Sequence, residues 1–218
     1  MTQAEHGFPT YTRAERGLDV AVHVVGPPAA VVAAGWLLAD VWRAASTGLI
    51  ASLAVYAVGL IGMLGTSAAY HLTRPSRAKE LLRRADHAMI YVMIAGTYTP
   101  FALNVLLPPG GVALCATVWA LAAVGIALKL IYPRRFERLS LALYLCMGWA
   151  VLSMIGPLVR LLPAASLQLL VGGGVVYSLG AVIYTRRGLR YHTPVWHTLV
   201  LVAVGLHVAA LHVAFVPG

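Results

Sequence analysis

Four polar residues stand out in an otherwise apolar chain because their types suit metal chemistry: His71, Asp86, His192 and His197. Each falls at the end of an apolar segment, on what the charge pattern predicts to be one side of a membrane. Ionisable side chains at membrane depth are costly and usually mark a functional site. Three imidazoles and a carboxylate at one depth therefore suggest a metal site.

The composition predicts an integral membrane protein. Of 218 residues, 60% are hydrophobic and only 11% are charged, and the mean hydropathy is +0.82. A soluble domain carries about 25% charged residues, so a soluble enzyme is excluded. Residues 1–17 form a polar tail without the pattern of a signal peptide. Residues 18–218 are predicted to form a single transmembrane domain.

Apolar runs of about 20 residues predict an all-α bundle of seven transmembrane helices. The breaks between the runs contain prolines and glycines, such as Pro108, Pro133 and Pro163. The glycine triplet that begins at Gly172 in the sixth run is predicted to permit close helix packing. The predicted spans are 19–39, 48–72, 86–106, 111–131, 139–159, 166–185 and 194–216.

The basic residues predict the orientation of this bundle. All Lys and Arg except Arg43 and Arg160 lie in or beside the N-terminal tail and the loops after the second, fourth and sixth spans. By the positive-inside rule, the N-terminus is cytoplasmic and the C-terminus lies outside. The net charge of +9 is thus explained by topology and not by nucleic-acid binding. The predicted location is the cell membrane, the predicted partners are lipids of the inner leaflet, and a homo-oligomer is compatible with the sequence.

This topology brings the polar residues to one level near the cytoplasmic face. A catalytic zinc site uses three protein ligands and a water molecule. His71, His192 and His197 are predicted to be these ligands for Zn²⁺, although imidazole also suits other first-row metals. Asp86 could accept a proton from the water or orient a ligand imidazole.

Ser67 lies four residues before His71, on the same helix face and about 6 Å deeper. Its hydroxyl is therefore placed to touch a water or a substrate carbonyl at the metal. His23, early in the first span, lies at a similar depth.

Each of these residues also has an ordinary structural interpretation. Asp86 could be the N-cap of the third span, and Ser67 could hydrogen-bond the carbonyl four residues before it. His71 and His197 adjoin aromatic residues and could be interfacial anchors. The joint pattern favours a site, because independent accidents would not all fall at one membrane face.

His207 is predicted to have a different role. Ten residues of helix place it about 15 Å beyond His197, which excludes both from one metal sphere. A hydrogen bond to a polar partner in the middle of the bundle is expected instead.

Several motifs together resemble the hemolysin III branch of the progestin-and-adipoQ-receptor family, and the resemblance covers nearly the whole chain. The span-three string is the most specific of them. The motifs are Glu15-x-x-x-Asp19-x-x-x-His23-x-x-Gly26, Ser67-x-x-x-His71, Asp86-His87-x-x-Ile90, Ala95-Gly96-Thr97-Tyr98-Thr99-Pro100, and Trp196-His197 with His207 following.

The resemblance implies a seven-helix bundle with zinc near its cytoplasmic face. It implies that His71 and His197 are ligands and that Asp86 and Ser67 line the site. It also implies kinship with alkaline ceramidases, which hydrolyse the amide bond of ceramide. Bacterial members are described as hemolysins or as membrane-homeostasis proteins.

The chain departs from this family pattern at the third ligand. In many relatives the two ligands of the last span are four residues apart, but here that position is Thr193 and the histidine is His192. A spacing of five residues turns the helix by about 500°, which leaves the two side chains about 140° apart. His192, His23 and Asp86 thus all remain candidates for the third ligand.

Three functions are compatible with this site. The first is zinc-dependent hydrolysis of a lipid amide or ester in the inner leaflet, with Asp86 and Ser67 as catalytic residues. The second is a non-enzymatic sensor or receptor-like protein of membrane state with structural zinc. The third is a cytolytic pore, against which the small number of charges in the spans argues.

Overall fold

The computed structural model describes residues 12–42, 45–106, 108–186 and 188–216. In these ranges the chain forms helices joined by short connections, and no strand occurs. The helices are α1 (Arg13–Val41), α2 (Thr47–Leu72), α3 (Arg77–Phe101), α4 (Gly110–Ile131), α5 (Glu137–Trp149), α6 (Ile155–Leu161), α7 (Ala164–Thr185) and α8 (His192–Phe215). A π-helical turn, Ala102–Leu106, continues α3, and a 3₁₀ turn, Ala150–Met154, joins α5 to α6.

The predicted seven spans are confirmed. Seven helical segments of 22 to 30 residues are long and apolar enough to cross a membrane, since about 20 residues span the hydrocarbon core. The third segment is α3 with its π-helical turn, and the fifth is α5 and α6 with the 3₁₀ turn between them. The protein is therefore a multi-pass membrane protein, and the orientation of its termini stays a prediction.

Two helices begin well before the apolar runs that predicted them. Thr12 caps α1 through a capping box, in which its side chain accepts from the Glu15 amide and the Glu15 carboxylate accepts from the Thr12 amide. Ser76 caps α3 and accepts from the Lys79 amide at 3.2 Å. Asp86 is consequently deep inside α3, so its interpretation as an N-cap is wrong.

The order of helix packing brings the first and last spans together. α2 packs against both α1 and α3, while α8 packs against both α7 and α1. The largest core cluster draws its buried side chains mainly from α1, α2, α3 and α8. The start of α1, the end of α2 and the start of α8 thereby meet at one end of the bundle.

Glycines on α7 permit the close approach of α8. A methyl group at Gly173 would lie 2.4 Å from the His207 ring, and one at Gly180 would lie 2.8 Å from the Trp196 ring. Small residues let helix backbones approach closely in a membrane, where packing replaces the hydrophobic effect. The predicted packing role of the glycine triplet is confirmed for Gly173.

Candidate metal centre

Four side chains at this end of the bundle form a group that could hold a metal ion. Asp19 and His23 come from α1, His71 from α2 and His197 from α8. Each offers one ligand atom, and these atoms all lie within 4.8 Å of one another. Among the residues that the structure describes, this is the group whose side chains have metal-ligand spacing.

The Asp19 carboxylate holds two of the histidines in one orientation. His197 Nδ1 is 2.7 Å from Asp19 Oδ1, and His71 Nδ1 is 3.0 Å from Asp19 Oδ2. A carboxylate oxygen only accepts, so each Nδ1 carries the proton and donates it. In a neutral imidazole the Nε2 atom is then unprotonated and has a free lone pair, which is the form that binds a metal.

His23 completes the arrangement from the same helix as Asp19. Its Nδ1 donates to the Asp19 backbone carbonyl oxygen at 2.7 Å, and its Nε2 lies 3.3 Å from Ser67 Oγ. The three imidazole rings are in mutual contact, with centroids 4.3 to 4.5 Å apart. All three Nδ1 atoms thus bond to Asp19, which leaves the three Nε2 atoms as the unprotonated nitrogens.

The donor set fits a metal of the zinc type. Three neutral imidazoles oriented by a carboxylate are the ligand set and supporting hydrogen bonds that zinc sites use. Asp19 and His23 are only 8% and 5% exposed, so the carboxylate would be costly to bury without such partners. His23, His71 and His197 are therefore the residues that would hold the ion, and Asp19 would orient them.

His192 does not join this group. It is the first residue of α8, and its Nδ1 donates to the Leu189 carbonyl oxygen at 3.0 Å. The five-residue spacing from His197 turns its side chain away, as the helical geometry requires. The structure thus brings His71 and His197 together with His23, one of the alternative third ligands, and leaves His192 outside.

Ser67 and Asp86 both line a cavity next to the histidines. Ser67 contacts His23, as given above, while the neighbouring Thr66 makes the hydrogen bond to the carbonyl four residues back. Asp86 is 8% exposed and close enough to His23 and His197 to interact with them electrostatically. In the described part of the chain no group hydrogen-bonds its carboxylate, so Asp86 is available as a proton acceptor.

Asp19 is the functional residue that the sequence interpretation missed. Asp19 begins the first predicted span and belongs to the motif with Glu15 and His23, but the sequence alone assigns it no role. The available signal was its spacing from His23, since residues four apart share one helix face. The shared face places the Asp19 carboxylate at the level of the predicted ligands, where it bonds His71 and His197.

A second carboxylate fixes the position of α8 relative to α1. Glu15 Oε1 accepts from the Tyr191 backbone amide at 3.0 Å, just before α8 begins. The other oxygen, Oε2, accepts from the amide and hydroxyl of Thr12, both at 2.8 Å. Glu15 and Asp19 lie one turn apart on α1, so both carboxylates link α1 to the first turns of α8.

The cavity beside the cluster has a volume of about 1110 Å³. One end is lined by Ser67, Asp86 and the histidines, and its walls include Phe101, Leu158 and Leu167. His207 also lines it, about 15 Å along α8 from His197. A mostly apolar cavity of this size exceeds what a drug-sized molecule requires and suits a longer apolar ligand.

Replacing Asp19 with asparagine is expected to weaken metal binding by about 10- to 100-fold. The amide has one oxygen acceptor where the carboxylate has two, so one imidazole loses its orienting partner. Titration of the metal-free protein with Zn²⁺ and a competing chelator measures the change. The matched control is Asp40→Asn, because Asp40 lies on the same helix near His212 and away from the cluster. Equal affinities in both variants would contradict the orienting role of Asp19.

The chain is similar to known membrane proteins over most of its length. A family model described as "Haemolysin-III related" matches residues 13–208. A Bacillus subtilis (strain 168) protein named Hemolysin-3 homolog is 34% identical over 191 residues, which cover 88% of this chain and 90% of that protein. Hemolysin-3 of Bacillus cereus is 33% identical over 179 residues, or 82% of each chain.

A more distant similarity extends to animals. The Homo sapiens monocyte to macrophage differentiation factor is 27% identical over 165 residues, which cover 72% of this chain and 67% of that protein. No solved structure gives a significant match to the chain.

Proposed function

The chain belongs to the haemolysin-III-related family of membrane proteins, and from this premise we propose that it is a zinc-dependent hydrolase of a lipid amide or ester. The observation that carries the proposal is the carboxylate of Asp86, to which no described residue hydrogen-bonds, beside the histidine cluster in a large and mostly apolar cavity. A carboxylate, a metal-ligand set and an acyl-sized cavity together suit hydrolysis of a lipid.

His23, His71 and His197 would hold the ion, with Asp19 fixing the orientation of His71 and His197 through its two oxygens. When bound, zinc would polarise a carbonyl oxygen and make a water molecule more acidic. The residues around it must supply proton transfer, stabilisation of the oxyanion and binding of the apolar chain.

Asp86 would act as the general base and then as the general acid. Its carboxylate would take a proton from the attacking water as the new C–O bond forms. It would return that proton to the leaving nitrogen or oxygen as the amide or ester bond breaks. The role requires a carboxylate that other groups do not already occupy, which distinguishes Asp86 from Asp19.

Ser67 would act on the substrate carbonyl. Its Oγ is 3.3 Å from His23 Nε2, so a hydroxyl donor lies directly beside the cluster. A donor aimed at the developing oxyanion stabilises it more than it stabilises the ground-state carbonyl.

The fifth span offers a route of entry from the bilayer. Only 11% of its central window is buried, compared with 28 to 56% for the other six spans. Its residues Tyr144, Leu145 and Trp149 form one wall of the cavity. A lightly packed wall supports lateral entry of a lipid, which the orientation predicted from the charges assigns to the inner leaflet.

The test is hydrolysis by the purified protein in mixed micelles. The expected result is that ceramide-type amides or phospholipid esters release fatty acid, detected by mass spectrometry. Release should stop with a chelator and resume with Zn²⁺. Zinc-loaded protein that releases no fatty acid from either class would overturn the proposal. If chelation then lowered thermal stability, the zinc would be structural, whereas dye release from liposomes would indicate a pore.

A further inference from the structure

Three buried polar atoms lie without partners in the middle of the bundle, far from the histidine cluster. They are Tyr56 Oη, Tyr177 Oη and His207 Nδ1, from α2, α7 and α8. Each is shielded from solvent, and no described residue hydrogen-bonds to it. Buried polar groups in native proteins are nearly always satisfied, so three such atoms in one region point to a bound group.

The tautomer of His207 determines which kind of hydrogen-bond partner its Nδ1 atom needs. Its Nε2 is 3.2 Å from the Leu170 backbone carbonyl oxygen, which only accepts, so Nε2 carries the proton. The predicted hydrogen bond of His207 in the middle of the bundle is thereby confirmed. The Nδ1 atom of the neutral ring is then an acceptor, and it requires a donor.

Two of the three side chains are ring neighbours, and the third packs in the same core cluster. The Tyr177 and His207 rings have centroids 5.5 Å apart. The absence of a side chain at Gly173, one turn before Tyr177, leaves the space that the His207 ring fills. Tyr56 belongs to the core cluster against which Tyr177 packs.

Of this trio of side chains, Tyr177 and His207 line the cavity that begins at the histidine cluster, while Tyr56 packs in the neighbouring core. His207 and His197 are ten residues apart on α8, which separates them by about 15 Å. A ligand that extends from the cluster along the cavity would therefore have its apolar chain beside these side chains.

We propose that Tyr177 and His207 bind a hydroxyl group carried on the chain of a lipid in this cavity, in the region where Tyr56 Oη is also buried without a partner among the described residues. A hydroxyl donates to the His207 Nδ1 and accepts from a phenol, so it satisfies both kinds of partner at once. The inference rests on the proposed function for the presence of a lipid, and it adds that the preferred chain is hydroxylated about 15 Å from the reacting end.

The experiment measures binding and needs no hydrolysis. Zinc-loaded protein in detergent is titrated with stearic acid, 12-hydroxystearic acid and 2-hydroxystearic acid, each competing with a fluorescent fatty acid. In an extended chain the 12-hydroxyl is near the trio when the carboxylate is at the cluster. The expected result is that 12-hydroxystearic acid binds about three- to tenfold more tightly than the other two acids, as one or two added hydrogen bonds would give.

The matched variants are Tyr177→Phe and Tyr144→Phe. Tyr177→Phe keeps the ring and removes the unpaired hydroxyl, so the preference should disappear while stearic acid binds as before. Tyr144 also lines the cavity, but its hydroxyl donates to the His87 carbonyl oxygen at 2.8 Å, so Tyr144→Phe should keep the preference.

Equal binding of all three acids to the wild type would overturn the hydroxyl site and leave lipid hydrolysis standing, with the trio holding only water. A preference that survives in Tyr177→Phe would also overturn it. Failure of every acid to bind would overturn both the hydroxyl site and the lipid-filled cavity. A protein that binds the acids with the stated preference but hydrolyses no lipid would contradict the proposed function alone.

Discussion

Replacing Asp86 with asparagine is expected to lower the rate of lipid hydrolysis by about 10²- to 10⁴-fold, which is the usual contribution of a general acid–base group. The amide keeps the shape of the side chain but cannot take the proton from water. Because Asp86 is outside the metal group, the variant should retain its metal. The measurement is fatty-acid release per mole of protein together with the metal content of the same sample.

The control for this variant is Asp40→Asn, which removes a carboxylate from the other end of the bundle, near His212. It should hydrolyse lipid at the wild-type rate. Unchanged turnover in Asp86→Asn with full metal content would show that Asp86 is not the base. Loss of both activity and metal would instead make Asp86 part of the metal-binding group.

Alanine substitution of the two histidines at the start of α8 is expected to give opposite results. His197→Ala should weaken metal binding by more than about 100-fold, since a direct ligand contributes more than the groups that orient it. His192→Ala should bind metal as the wild type does, because its ring nitrogen bonds a backbone carbonyl and lies outside the cluster. Metal analysis of the purified, dialysed proteins measures the difference directly.

His23→Ala extends this comparison to the third ligand. It should lose metal as His197→Ala does, because its ring lies 4.5 Å from that of His197. Retention of metal in His23→Ala and its loss in His192→Ala would reverse the assignment and restore His192 as the ligand.

The apolar runs predicted the number of spans and the end of the bundle at which most site residues lie, but not the helix ends. Hydropathy detects the part of a helix that lies in hydrocarbon, whereas a helix continues as far as its caps allow. The polar first turns of α1 and α3 therefore lie outside the predicted spans, although Thr12 and Glu15 have capping-box spacing. This is why the apolar run alone makes Asp86 a candidate cap, although α3 begins at Arg77.

The third ligand could not be chosen from the sequence for the same reason, because the apolar run hides the true start of α1. With the first span predicted to begin at Asp19, that carboxylate has only His23 as a polar neighbour one turn away, and His23 remains one candidate among three. Because α1 begins at Arg13, Asp19 and His23 both lie well inside a helix of the bundle, where they face α2 and α8. Contacts between residues 178 positions apart, such as His197 and Asp19, depend on tertiary packing that the sequence does not reveal.

The distribution of the cluster over α1, α2 and α8 determines when it can form during synthesis. A chain is made from its N-terminus, and the earlier segments enter the membrane first. The helices that carry Asp19, His23 and His71 are therefore inserted long before the helix that carries His197. Glu15 likewise has no Tyr191 amide to accept from until that part of the chain has been made. The nascent protein cannot present a complete ligand set until its last helix is in place, so a metal held by all three histidines would bind only at the end of biogenesis.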